Sequence, residues 1–160
     1  MRFIRILLTC VLMLTILGCE ESRKAANLPS GTFQKSCIFT PSKISLNQLT
    51  EFSQKWQITA YIDILDQFNS RMKTAGIWRF ELYAKVPRSA DPMGDRVWVW
   101  PDFELTLAEI NNNYWQDYLR CYKFELNLNA EAESGKSYIL QAICFTADGR
   151  RLTDTIELKP

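Results

Sequence analysis

Asp102 and Glu104 stand two residues apart among strand-forming residues, so both side chains would leave the same side of the backbone. Paired carboxylates are the working parts of glycoside hydrolysis, one as acid and the other as base or nucleophile. A solvated strand face, or an edge kept from pairing with itself, uses the same two residues, and that plainer reading is preferred. Asp91-Pro92-Met93-Gly94-Asp95 sets two carboxylates around a glycine. It lacks the spaced ligands of a dedicated calcium loop, and its dipeptides are ordinary turn formers, so no metal is expected. Ser70-Arg71-Met72-Lys73 has the letters of a serine–lysine nucleophile pair without the companion motifs. The chain contains no histidine, which removes Ser-His-Asp and Cys-His nucleophiles and every imidazole ligand or proton shuttle. No catalytic residue is assigned, and an enzyme is not expected.

Aromatic residues give the other lead. Trp98 and Trp100 share one face of a strand, and Tyr114, Trp115, Tyr118 and Tyr122 crowd together behind Asn111-Asn112-Asn113. Flat rings beside amides suit stacking on sugars, which present an apolar face fringed by hydroxyls. Trp98, Trp100 and Trp115 are therefore the candidate ligand-stacking residues. The competing reading is that these rings fill the space between two sheets, and it is the stronger of the two. Stacking on nucleic-acid bases is not expected, because 19 basic residues against 18 acidic ones leave no basic excess to hold phosphates.

The five cysteines divide by position. Arg2 and Arg5 open the chain, and the 13 residues Ile6 to Gly18 carry no charge. A helix of that length is about 20 Å long, short of a hydrocarbon core of about 30 Å, and Glu20-Glu21 follows at once. That is the layout of a secretory signal peptide. Its end, Ile16-Leu17-Gly18-Cys19, resembles the lipobox of bacterial lipoproteins. The resemblance implies that the leader 1–18 is cut after Gly18, that the Cys19 sulfur carries a diacylglycerol and that its amino group is acylated; no other cofactor is expected. Two or three acyl chains, at about 0.8 kcal/mol per buried methylene, hold a protein to a membrane permanently. The protein is thus expected at the cell membrane or the outer membrane, with its domain facing the periplasm or the cell exterior. Glu20, in place of the retaining aspartate, leans toward the outer membrane. Loss of Arg2 and Arg5 turns the formal net charge from +1 to −1, so attachment falls to the lipid rather than to electrostatics.

From Cys19 to Ser36 the sequence is polar and punctuated by Pro29 and Gly31, which reads as a flexible tether. Residues 37–160 then alternate at a period of two. Ile58, Ala60, Ile62 and Ile64 share a line, as do Trp78, Phe80, Leu82, Ala84 and Val86, and Tyr122, Phe124, Leu126 and Leu128. With further strands expected at 38–46, 96–105, 138–147 and 152–158, about seven strands predict an all-β, antiparallel β-sandwich, immunoglobulin-like in general architecture. At most a short helical turn is expected, between Leu107 and Tyr118.

Asp148-Gly149 closes the last hairpin. A three-residue loop with Gly149 left-handed pairs Leu140 with Ile156 and Cys144 with Leu152, keeping both apolar lines on one face. Asp154 falls on the inward line in this register, without an explanation from sequence. Cys121 and Cys144 point to opposite faces of their strands, so buried free thiols are expected rather than a bridge, and none of the cysteines has CxxC spacing.

Arg79-Phe80-Glu81-Leu82-Tyr83, Trp100-Pro101-Asp102, Asn112-Asn113-Tyr114-Trp115, Leu119-Arg120 and Asp148-Gly149-Arg150-Arg151-Leu152 resemble uncharacterised envelope lipoproteins of planctomycete-type bacteria, over residues 50–158. That resemblance implies the cell envelope and brings no activity with it. The expected function is a membrane-anchored, non-catalytic protein-interaction or structural module, whose partners are the membrane and an envelope protein or polysaccharide. The alternative is a carbohydrate- or cell-wall-binding module that uses the surface aromatics.

Overall fold

Four apolar lines meet at the centre of the molecule. In the computed structural model, which describes residues 39–160, Ile58 to Ile64, Trp78 to Leu82, Tyr122 to Leu126 and Leu140 to Cys144 turn every second side chain inward, and those side chains are at most 1% exposed. The elements that carry them run β1 Lys43–Leu46, β2 Glu51–Gln54, β3 Gln57–Leu65, β4 Gly76–Lys85, β5 Met93–Val99, β6 Phe103–Leu105, α1 Ala108–Tyr114, β7 Trp115–Gln116, β8 Cys121–Asn127, β9 Tyr138–Thr146 and β10 Arg151–Leu158. Two antiparallel sheets result. Sheet A has the order β1-β3-β8-β7 with β2 also on β3, and sheet B has the order β10-β9-β4-β5 with β6 also on β4.

Ten strands stand where about seven were expected, and broken edges explain most of the difference. β1 and β2 follow one another along the same side of β3. Between them the Thr50 hydroxyl replaces the ladder at Tyr61, donating to its carbonyl oxygen at 3.2 Å and accepting its N–H at 3.0 Å. β5 and β6 share one side of β4 in the same way. There the Trp100 N–H still reaches the Phe80 oxygen at 3.2 Å, but Pro101 has no N–H to continue the ladder. The expected strand 96–105 is therefore two strands, and Pro41 holds the start of the first strand back to Lys43. Interrupted edges of this kind discourage edge-to-edge association. β7, only two residues long, is the remaining addition. The helical turn expected near Leu107 is α1.

Counted with each broken edge as one strand, the sheets read 1-2-5 and 7-6-3-4, the crossing connections of an immunoglobulin-like sandwich. Tyr138 opens β9 with its hydroxyl accepting the Glu133 N–H at 3.0 Å, the tyrosine corner of that architecture. The aromatic core is organised on Phe124, whose ring centroid lies 4.8 Å from Phe80, 5.1 Å from Tyr114, 5.4 Å from Phe103 and 5.5 Å from Trp78.

The final hairpin has the expected register. Leu140 faces Ile156 and Cys144 faces Leu152, Gly149 lies at φ +83°, and the Gly149 N–H closes the turn on the Thr146 oxygen at 2.9 Å. Asp154 is also accounted for. Its Oδ2 accepts the Leu46 N–H at 2.8 Å, so it joins β10 to β1 where the two sheets meet. The leader, Cys19, the 19–36 segment and Cys37 lie outside the described residues.

Candidate functional site

The outer face of sheet B carries most of the chemistry-capable side chains. Asp102 precedes β6 and is gripped on both oxygens by Arg79, Nε to Oδ1 at 2.9 Å and Nη2 to Oδ2 at 2.8 Å. The hydrogen bond from Arg79 holds the Asp102 carboxyl below the usual carboxylate range, the reverse of what a general acid requires. Glu104 lies opposite Ile77 of β4 and is exposed. Next along β4, Glu81 accepts from the Tyr83 hydroxyl and from Arg96 at 3.4 Å, and its hydrogen bond pushes the Tyr83 phenol up. Lys85 pairs with Glu157 of β10. Ile139 and Ile143 are 6% and 4% exposed although they point away from the core; in register, Tyr83 and Glu157 flank Ile139 and Arg79 and Thr153 flank Ile143. Alternation alone marked that side of β9 as the polar one; long paired side chains flank it instead.

The other candidates disperse. Asp91 folds back to accept the Met93 N–H at 3.2 Å, closing its own turn. Among the described residues no three His, Cys, Asp or Glu side chains gather to hold a metal. Ser70 gives its N–H to Asp66 at 2.8 Å, while the Lys73 ammonium reaches Asn112 at 2.8 Å and lies 5.2 Å over the Trp115 ring. The Lys73 ammonium is thus engaged by Asn112 and the indole rather than by Ser70.

The three candidate tryptophans do not form one platform. Trp98 and Trp100 both turn inward, as their spacing implies. Trp100 is buried to 6% exposure and sends its Nε1–H across to the Asn127 oxygen of sheet A at 2.6 Å. Trp98, opposite Leu82, is half-buried. Trp115 sits on β7 in the other sheet, edge-on to Tyr122 at 5.1 Å.

Trp98 does line a groove. Together with Leu82, Leu128, Ala132 and Tyr138 it walls a space of about 310 Å³, with Glu131 and Glu133 at the rim. Such a volume is at the lower end of small-ligand sites, which start at roughly 300 Å³. The β8–β9 connection that forms one wall is pinned in place. Its Leu128 and Ala132 N–H groups bond Trp56 and Lys55 of the β2–β3 turn at 2.8 and 2.7 Å, and Tyr138 holds Glu133 from below. Nothing in the sequence distinguishes Leu128 or Ala132 as wall residues, because the groove exists only once the connection folds over β5.

A buried polar knot also escapes sequence reasoning. The Tyr122 hydroxyl accepts the Thr74 N–H at 3.0 Å and donates to Asn111 Oδ1 at 2.8 Å, while Asn111 Nδ2 donates to the Thr74 and Leu105 oxygens at 2.7 and 3.1 Å. It fixes α1 and the β3–β4 connection to the start of β8, and burial pushes the Tyr122 phenol up. Asn111 is the first of the three asparagines, and its amide is spent inside. Cys121 and Cys144 are both free and buried. Burial raises both thiols, and Cys144, in the core, is pushed up to about 12, so neither is a ready nucleophile.

No protein-family model matches this chain, and neither a curated protein nor a solved structure gives a match. Among the described residues no helix is long and apolar enough to cross a membrane.

Proposed function

We propose that the protein is a non-catalytic lipoprotein of the bacterial cell envelope, held to the cell membrane or the outer membrane by acyl chains on Cys19, and that its β-sandwich is a protein-interaction or structural module. The observation that carries the reading is the state of the carboxylates on sheet B. Asp102 and Glu81 are tied to cations on neighbouring strands, and Glu157 of β10 is tied across β9 to Lys85 of β4. Fixed, compensated charge suits a recognition surface, and proton transfer needs the opposite. The Ile16-Leu17-Gly18-Cys19 sequence supports the anchor.

A photocrosslinking residue at Val99 tests this reading in cells. Val99 is exposed and faces the same side as Glu81. One discrete protein adduct is expected from the wild-type chain, lost on Cys19→Ser. A uniform absence of adducts from positions across this face would overturn the reading.

The Trp98 groove favours a second reading, an envelope-polysaccharide-binding module. An indole wall with carboxylates at the rim offers a sugar both a stacking surface and hydroxyl acceptors. On that reading the full chain binds isolated envelope polysaccharide and Trp98→Ala abolishes binding without unfolding it. Equal binding by wild type and Trp98→Ala would remove the groove from consideration.

A further inference from the structure

The four most exposed large apolar side chains of the described residues are Tyr118 at 82%, Phe39 at 64%, Leu107 at 63% and Phe68 at 60%. All four lie at one end of the sandwich. The pairings Lys43 with Leu65, Ile62 with Tyr122, Gly76 with Leu105 and Gly76 with Thr146 set the start of β1, the end of β3, the start of β8, the start of β4 and the ends of β6 and β9 side by side. Phe39 precedes β1, Phe68 is in the β3–β4 connection, Leu107 leads into α1, and Tyr118 is in the β7–β8 turn. Toward the opposite end the exposed large apolar residues of the described chain are smaller or less exposed, Val97 at 48%, Val99 at 46%, Val86 at 43% and Trp56 at 42%.

The loops at the Phe39 end are knitted to one another. The Phe39 and Phe68 rings lie 6.5 Å apart. Arg71 donates to the Leu119 oxygen at 2.9 Å and Arg120 donates to the Arg71 oxygen at 3.3 Å, tying the connection of Phe68 to the turn of Tyr118. Lys73 and the Asn111 knot brace α1 beside them. These contacts hold aromatic and aliphatic side chains outward, among charges that are nearly balanced: Arg71 pairs with Asp63, Lys73 with Asp117 and Arg150 with Asp148, while Arg120 and Glu109 stand nearby.

We infer that the Phe39 end is a membrane-contact surface, on which Phe39, Phe68, Leu107 and Tyr118 enter the headgroup region of the bilayer. The inference rests on the Cys19 anchor proposed above. Phe39 is 20 residues after Cys19, and a chain leaving an anchored Cys19 meets the described domain at this end. The opposite end lies about 30 Å further along nine-residue strands. Amphipathic rings and exposed aliphatics set among paired, nearly balanced charges are the composition that partitions into the lipid interface.

The test uses the full chain, acylated by its host and reconstituted into vesicles of phosphatidylethanolamine and phosphatidylglycerol. An environment-sensitive fluorophore is placed by Tyr118→Cys, or by Ala90→Cys in the exposed β4–β5 loop at the opposite end, each with Cys37→Ser. Emission at position 118 is expected to shift to the blue and to be quenched several-fold more strongly by nitroxide-bearing lipid than emission at position 90. The triple change Phe39→Ser, Phe68→Ser and Leu107→Ser should remove most of that difference and leave flotation with the vesicles intact. Equal quenching at the two ends of a chain that floats overturns the contact while the anchor stands. A blue shift without lipid quenching overturns it too, since a second copy of the chain would then cover the surface. A chain that does not float refutes the anchor, and the contact falls with it.

Discussion

An acid on the inward line of a strand is a liability unless something there needs a negative partner. For Asp154 the partner is the Leu46 N–H at the start of the gap in the broken edge, 2.8 Å from Oδ2. Asp154→Ala leaves that donor without its acceptor and should cost about 1–2 kcal/mol. Asp154→Asn keeps an acceptor oxygen and should cost less than half as much. Urea midpoints at unchanged slope measure both, and equal losses would mean that the bond contributes nothing.

Asp148 makes a prediction in pH. Hydrogen bonds from Arg150 and Thr146 lower its carboxyl from 3.8 to about 2. Folding therefore favours the ionised form, and its contribution is complete above about pH 4, falls as pH drops through that window and is gone below about pH 2. Asp148→Asn should flatten this segment of the stability profile relative to the wild type, measured by urea midpoints at a series of pH values. A wild-type profile already flat between pH 4 and 2 would show the side chain to be free in solution.

Among the elements, the last hairpin is the part most fully legible from sequence. Gly149 at φ +83° has open space where a β-carbon would sit, so any cost of substitution is backbone strain rather than a clash. Gly149→Val should destabilise by about 1–2 kcal/mol and Gly149→Asn should be nearly silent, because asparagine tolerates the left-handed region. Denaturant midpoints of the two variants compare them; the same cost for both would contradict the bulged turn. The three strands read from alternation are present because each has a polar and an apolar line, and burial of one line determines the face; the four further strand regions are present too, although β9 is buried on both sides. β2 and β7 were not legible. Phe52 is the inward contributor of β2, and β7 is two residues extending α1, too little for any period. The gap at Trp100-Pro101-Asp102 was visible as a proline but not as a break in register. The acidic pair on one strand side was legible in position and not in purpose, because Arg79 reaches Asp102 from a strand 23 residues away in the chain.

At the scale of the whole molecule the two ends differ. One carries the most exposed apolar side chains on braced loops; the other carries the Trp98 groove beneath a pinned connection. A lipid-anchored domain standing on the first end would offer the second, and the charge-paired face of sheet B, to the surrounding envelope. Lipidation determines whether this arrangement exists, and the intact mass of the protein isolated from cells tests it most directly. The mass should equal residues 19–160 plus a diacylglyceryl group and an N-acyl chain, and Cys19→Ser should leave the leader uncut and the chain without lipid. A mature chain that begins at any other residue, or that begins at Cys19 without added lipid, would contradict the account.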